Sequence, residues 1–168
     1  MMKHWLSWGV LILVVCAAIF FITQTTGELP KMVASHFDAA GNPTAFVARA
    51  SYLHFMLLIG IGAPLILVAL LTVVYSRAAD MKLPNADYWL APLRIDRTRS
   101  FLVAHGIWFG SLLISVVCYA HWLELKANHQ RPAHLPDELV YPALLLFFLL
   151  TVGWMAVLMR RFRRPRGA

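Results

Sequence analysis

Charge is what this 168-residue sequence has least of. Asp, Glu, Lys and Arg together make up 14% of it, against 60% hydrophobic residues, where soluble domains average about a quarter charged. A chain this short keeps a large share of its surface exposed after folding, so that much apolar surface cannot be hidden in a water-facing core. Intrinsic disorder and an ordinary water-soluble enzyme are excluded, and the excess must face lipid. Cysteine is scarce too. Cys16 and Cys118 stand alone, which excludes a disulfide-stapled secreted miniprotein, and both read as buried small hydrophobes. The sequence has no His-Glu-x-x-His motif, no paired-Cys motif and no internal repeat.

What is present is organised by where the charges are missing. Trp5 to Thr26, Ala50 to Ser76, Ser100 to Leu123 and Leu139 to Met159 contain no Asp, Glu, Lys or Arg. Crossing a bilayer core takes about twenty residues at 1.5 Å each, so each stretch is a transmembrane helix candidate. The expected fold is all-α: one domain over 1–168, a bundle with spans at about 5–26, 52–76, 100–123 and 139–159. The connections are an outer loop 27–51, a cytoplasmic loop 77–99 and a basic tail 160–168.

The net charge of +7 would suggest nucleic acid in a soluble protein, but its distribution argues for lipid. Eleven of the fifteen cations fall on one side of the bundle: Lys3, Arg77, Lys82, Arg94, Arg97, Arg99 and five arginines from Arg160 to Arg166. Lys31, Arg49, Lys126 and Arg131 fall on the other. Short Lys- and Arg-rich connections stay in the cytoplasm, so both termini are expected inside. The arginine tail is a topology anchor worth about 1 kcal/mol per cation near an anionic leaflet, and no nucleic-acid partner is expected. A cleaved signal peptide fits poorly, because Ala17-Ala18 leads into Ile19-Phe20-Phe21-Ile22 and not into a polar mature start. A lipobox ending at Cys16 fails at Val15.

The spans carry few polar features. Gly60, Gly62 and Pro64 predict a kink in the second. Gly106, Gly110, Ser111 and Ser115 form a small-residue packing face on the third, used within the bundle or, alternatively, for homodimerisation. Trp5, Trp8, Trp89, Trp122, Tyr52 and Tyr141 lie near span ends, where amphipathic rings prefer the headgroup layer. His105 and His121 are sixteen residues apart, about 24 Å along a helix, so they cannot share a site. His36, His54 and His121, with Asp38, could gather at the outer face and bind Zn or Cu through imidazole and carboxylate. The simpler expectation is no cofactor, with these histidines hydrogen-bonded to backbone or water.

The first outer loop has the most distinctive text. Leu29, Met32, Val33, His36 and Phe37 recur at helical spacing with Pro30 in a first turn, predicting a short surface helix. The Val33, Ser35, Phe37 alternation suits an extended piece equally. Gly41-Asn42-Pro43 reverses the chain.

The series Leu29-Pro30, His36-Phe37, Gly41 and Pro43 between two spans resembles the signature of a bacterial integral-membrane family. That family is catalogued as a domain of unknown function and is related to the N-terminal part of Sdp-type toxin-immunity and signalling proteins. Leu83-Pro84-Asn85-Ala86-Asp87-Tyr88-Trp89-Leu90-Ala91-Pro92 is similar to a segment following that signature in many members. The resemblance covers just over a third of the chain. It implies a multi-pass protein of the bacterial inner membrane whose outer loop recognises a ligand or partner through Leu29, Pro30, His36, Phe37, Asp38, Gly41, Asn42 and Pro43.

Pro84, Asn85, Tyr88 and Trp89 with their neighbouring arginines can lie on anionic headgroups or offer a docking surface to a cytosolic partner. Catalysis needs a nucleophile and base, a carboxylate pair or a metal-held water, and the charge-free spans supply none. The expected function is a non-enzymatic sensor, immunity-like or accessory subunit whose partners are the bilayer and a membrane or extracytoplasmic protein. The alternatives are a small transporter or permease component, metal-linked through the outer histidines, and lastly a metal-dependent membrane enzyme.

Overall fold

A computed structural model describes residues 4–77 and 83–163. Lys3, Lys82, Arg164 and Arg166, four of the cations used to orient the chain, lie outside the described residues. The order of elements is α1 (His4–Thr26), β1 (Met32–Phe37), β2 (Pro43–Ala48), α2 (Arg49–Phe55), a π-helical segment (Met56–Ile61), α3 (Gly62–Ser76), α4 (Ala86–Trp89), α5 (Ile95–His129) and α6 (Asp137–Arg161). The chain is mostly helical. Four helices are long and apolar enough to cross a membrane, with α2, the π segment and α3 forming one of them. These are the properties of a multi-pass membrane protein.

The α1 helix turns a narrow line of side chains inward and leaves the rest of its apolar surface out. On α1, Leu11, Ala18 and Ile22 are buried while Ile12, Leu13 and Phe20 are exposed. Seven and four residues separate the buried positions, which is the repeat of one helical face. The α5 helix is the central element, buried from Leu102 through Ile107, Ile114 and His121 to Ala127. It packs against α1 and α3. The α6 helix has no buried residue in its apolar window and leans on α5 from outside.

Small residues set the approach of the second span to α5. A Cβ on Gly110 would lie 2.2 Å from Val68 Cγ2, one on Gly60 2.8 Å from Val117 Cγ1, and one on Gly106 3.4 Å from Leu71. The small-residue face expected on the third span is therefore spent inside the bundle. Ser111 is buried and Ser115 exposed; each donates its hydroxyl to the carbonyl four residues back. The expected irregularity around Gly60 takes the form of the π-helical segment. Pro64 cannot donate to the carbonyl four residues earlier, and the widened turn just before it absorbs the break.

Three expectations need correction. The fold is not all-α, because residues 32–48 form a two-stranded antiparallel hairpin. The surface helix there gives way to the extended alternative. The third helix runs from Ile95 to His129 and the second starts at Arg49, since a helix continues past the apolar core wherever its polar residues find water or caps. Cys16 is exposed on the outside of the bundle and is not a core thiol, whereas Cys118 is half-buried and packs against the core.

Gly110→Ala is expected to destabilise the protein by about 1–3 kcal/mol, because β-branched Val68 has little freedom to move away. Gly153→Ala inside α6, where a Cβ would meet nothing within 4 Å, should leave the melting temperature the same or raise it slightly, because alanine favours a helix interior over glycine. Thermal unfolding of both variants in the same detergent checks the pair.

Candidate functional site

The hairpin is fastened to the helix ends from three sides. Its register pairs Val33 with Val47 and Ala34 with Phe46, then shifts around Ser35, which has no partner opposite. Beside that bulge, Asn128 on α5 takes the place of a third strand. Its Oδ1 accepts from the Ala34 N–H at 2.8 Å, and its Nδ2 donates to the Ala34 carbonyl at 3.0 Å. Arg49, at the start of α2, donates to the carbonyls of Gly27 and Leu29. Leu29 and Val33 are buried in the main core.

The turn explains the rest of the loop signature. Asp38 Oδ1 accepts from the N–H groups of Ala40 and Asn42, and the Asp38 N–H donates to the Asn42 carbonyl. Gly41 has φ +77°, a left-handed conformation that favours glycine. Its carbonyl accepts from Leu135 N at 2.9 Å. A Cβ there would lie 2.6 Å from the Leu135 carbonyl oxygen, so the tip docks backbone to backbone on the connection before α6. Pro43 faces Phe37 at the mouth of the hairpin, where its missing N–H is harmless, and Pro30 is exposed.

Beneath the hairpin runs a chain of hydrogen bonds centred on His121, whose side chain is fully buried. Thr25 donates its only hydroxyl proton to the Phe21 carbonyl at 2.7 Å. Its oxygen therefore accepts from His121 Nε2, 2.8 Å away. With the proton on Nε2, Nδ1 is an acceptor and takes the Tyr52 hydroxyl at 2.6 Å. Phe21 meets the imidazole edge-on at 5.3 Å. The sequence marked His121 but not this relay, which ties α1, α2 and α5 together.

One turn beyond His121 stands Glu124. Its carboxyl faces the Tyr52 hydroxyl, but that hydroxyl has a single proton and the short contact to Nδ1 uses it. Glu124 Oε2 is buried with no hydrogen-bond partner among the described residues. The carboxyl borders two spaces. A chamber of about 340 Å³ lies between hairpin and helices, lined by Ser35, His36, Ser51, Tyr52, Phe55 and Glu124 among others. An apolar groove of about 410 Å³ lies between α5 and α6 and also ends at Glu124. His36 lines the chamber together with its neighbour Ser35, and Phe37 lines the groove, an arrangement set at the register shifts on either side of His36.

The histidine set that could have gathered to bind Zn or Cu does not assemble among the described residues. Among the described residues no three of His, Cys, Asp and Glu come together. Both His121 nitrogens are already bonded, His36 contacts Ser35 Oγ at 3.1 Å, His54 is exposed, and Asp38 caps the turn. The docking surface around Pro84, Asn85, Tyr88 and Trp89 is mostly consumed by internal packing at the opposite end. Asn85 Nδ2 donates to the Phe162 carbonyl, Thr98 to the Trp89 carbonyl, and Arg161 lies over the Trp89 ring at 4.6 Å. Arg94 lies over Tyr88 at 3.9 Å, and Pro84 and Asn85 stay exposed. His105 is buried and stacks 4.3 Å from Trp154, whose Nε1 donates to the His105 carbonyl. It serves as a contact between α5 and α6.

Asn128→Ala leaves the N–H and carbonyl of Ala34 without their partner, at about 1–3 kcal/mol for each buried group. Amide exchange at Ala34 is expected to accelerate tenfold or more while exchange in the middle of α5 stays unchanged. A second expectation concerns the turn. The backbone N–H of Asn42 holds the Asp38 carboxyl below its ordinary value of 3.8. A depressed folded value means that the contribution to turn stability is present above the unfolded value and lost as pH falls through the folded one. Opening of the tip, followed by the exchange of Ala40 and Asn42 amides, should therefore rise only below about pH 4 and should lose this pH dependence in Asp38→Asn.

Comparison of the chain with protein-family models, curated proteins and solved structures gives no match, so its function has to be argued from this geometry.

Proposed function

We propose that this protein lies in a bacterial cytoplasmic membrane, with both termini inside and the hairpin on the outer face, and acts there as a non-enzymatic ligand-recognising subunit of sensor or immunity-like type. The orientation rests on the eleven-to-four division of cations and the positive-inside rule. The resemblance of the loop signature supports the bacterial inner membrane and the recognition role.

The observation that carries the reading is the buried, unpartnered Glu124 oxygen beside the chamber. Every other polar group in the relay has its partner within the protein. A carboxylate away from water needs a donor or a cation, and the chamber offers room for one to arrive. The ligand is therefore a hydrogen-bond donor, best a protonated amine. The non-enzymatic part of the proposal rests on how the chamber's polar groups are used. Tyr52 donates to His121, whose other nitrogen is held by Thr25, and among the described residues no carboxylate bonds to the His36 ring beside Ser35 to complete a nucleophile–base–orienter set.

Ethylammonium chloride is a direct probe. Binding to the folded state alone raises stability with concentration as RT ln(1 + [L]/Kd). At matched ionic strength it should raise the melting temperature of the detergent-purified protein, whereas tetramethylammonium, which has no N–H to donate, should not. Glu124→Gln should abolish the difference between the two salts. An equal response in Glu124→Gln and wild type would refute ligand recognition at this carboxyl.

A further inference from the structure

Resting on that ligand-site reading, we infer that the ligand is an amphiphile with a protonated primary amine: its ammonium on Glu124, its hydrocarbon chain in the groove between α5 and α6. Glu124 is shared by the polar chamber and the apolar groove, and an amphiphile is the chemistry that fills both at once.

The groove has the dimensions and setting for a hydrocarbon chain. Along α5 its lining runs from Glu124 to Leu112, twelve residues or roughly 18 Å, and along α6 from Val140 to Leu150, roughly 15 Å. The helices are pinned on either side of it. Tyr119 donates to the Leu139 carbonyl at the Glu124 end, and Trp154 Nε1 donates to the His105 carbonyl beyond the other. Between those two bonds the groove stays unfilled by side chains, and α6 buries nothing in its apolar window. In a membrane protein the medium outside this opening is acyl chain.

Depth and charge select the headgroup. Glu124 directly follows the charge-free stretch Ser100 to Leu123, so it stands at the edge of the apolar core, where lipid headgroups lie. A primary ammonium brings three N–H donors to the carboxylate. A quaternary ammonium brings none, and a headgroup with only a phosphate is repelled. Among common lipids the site therefore favours an aminophospholipid of the phosphatidylethanolamine type over phosphatidylcholine or phosphatidylglycerol.

Native mass spectrometry tests this directly. The delipidated protein is offered equimolar phosphatidylethanolamine, phosphatidylcholine and phosphatidylglycerol of matched chains. The expected result is at least tenfold greater retention of phosphatidylethanolamine, with the preference erased in Glu124→Gln. Ala143→Trp, which fills the groove from α6, should cut phosphatidylethanolamine retention tenfold while keeping the thermal shift with ethylammonium; Ala120→Leu fills the same groove from α5 should the tryptophan disturb folding. No headgroup preference in the wild type, with the ethylammonium shift intact, overturns the amphiphile and leaves a small-amine site. Loss of both signals overturns the ligand site as well. Retention that survives both groove-filling variants places the chain elsewhere and also overturns the inference.

Discussion

The hairpin end of this bundle depends on a buried imidazole that is fully hydrogen-bonded. Both nitrogens of His121, which sits among Phe21, Tyr52 and the α1 backbone, have partners, and each would cost about 1–3 kcal/mol if orphaned in a low-dielectric interior. The partners come from two other helices. Thr25 lies one residue before the end of α1, and Tyr52 lies in the first turn of α2. The relay therefore fixes the two points between which the hairpin leaves and re-enters the helical layer. Asn128, seven residues further along the same α5 helix and so on nearly the same face, then catches the Ala34 backbone. A single helix face carrying His121, Glu124 and Asn128 thus organises the whole cap.

The bundle below is held by different means. Lipid-exposed surface gives no hydrophobic drive for helices to associate, so close packing and a few polar contacts must serve. Gly60, Gly106 and Gly110 let the second span approach α5 closely. The weakly held α6 is fastened by two carbonyl-directed bonds and by aromatic stacking on His105. At the far end Asn85, Arg161 and Thr98 lock the short α4 segment onto the foot of α6. The unequal packing, tight on one side of α5 and loose on the other, leaves a groove on the α6 side.

The spans were legible because the absence of charge over twenty residues is a signal on the scale of the membrane itself. Their ends were not, since residues 95–99 and 124–129 continue the helix with polar residues that composition assigns to loops. The turn at Asp38, Gly41 and Asn42 could be read from local side-chain chemistry. The strands flanking it could not, because residues 29–37 satisfy both a helical and an alternating pattern. What decides between them is Asn128, ninety-four positions from Ala34. The histidine set failed for a related reason: the partner that completes His121 is a tyrosine hydroxyl, and residue type alone does not distinguish a ligand-ready imidazole from one already satisfied. Glu124 was passed over because it stands just outside a charge-free stretch. Its place three residues after a buried histidine, on the same helix face, was the available signal.

That placement matters more than the carboxylate's identity. Had Glu124 fallen one position earlier or later, about 100° around the helix, it would not share a face with His121 and Asn128. At 124 it sits against a hydroxyl whose proton is already committed, between a polar chamber and an apolar groove. A structural carboxylate would be expected to draw in a donor from the many backbone and side-chain N–H groups of the cap, as Asp38 does at the hairpin tip with two of them. The two carboxylates of the cap thus differ in their surroundings: Asp38 is held by its own turn and builds the hairpin tip, whereas Glu124 borders two cavities with one oxygen unpartnered among the described residues.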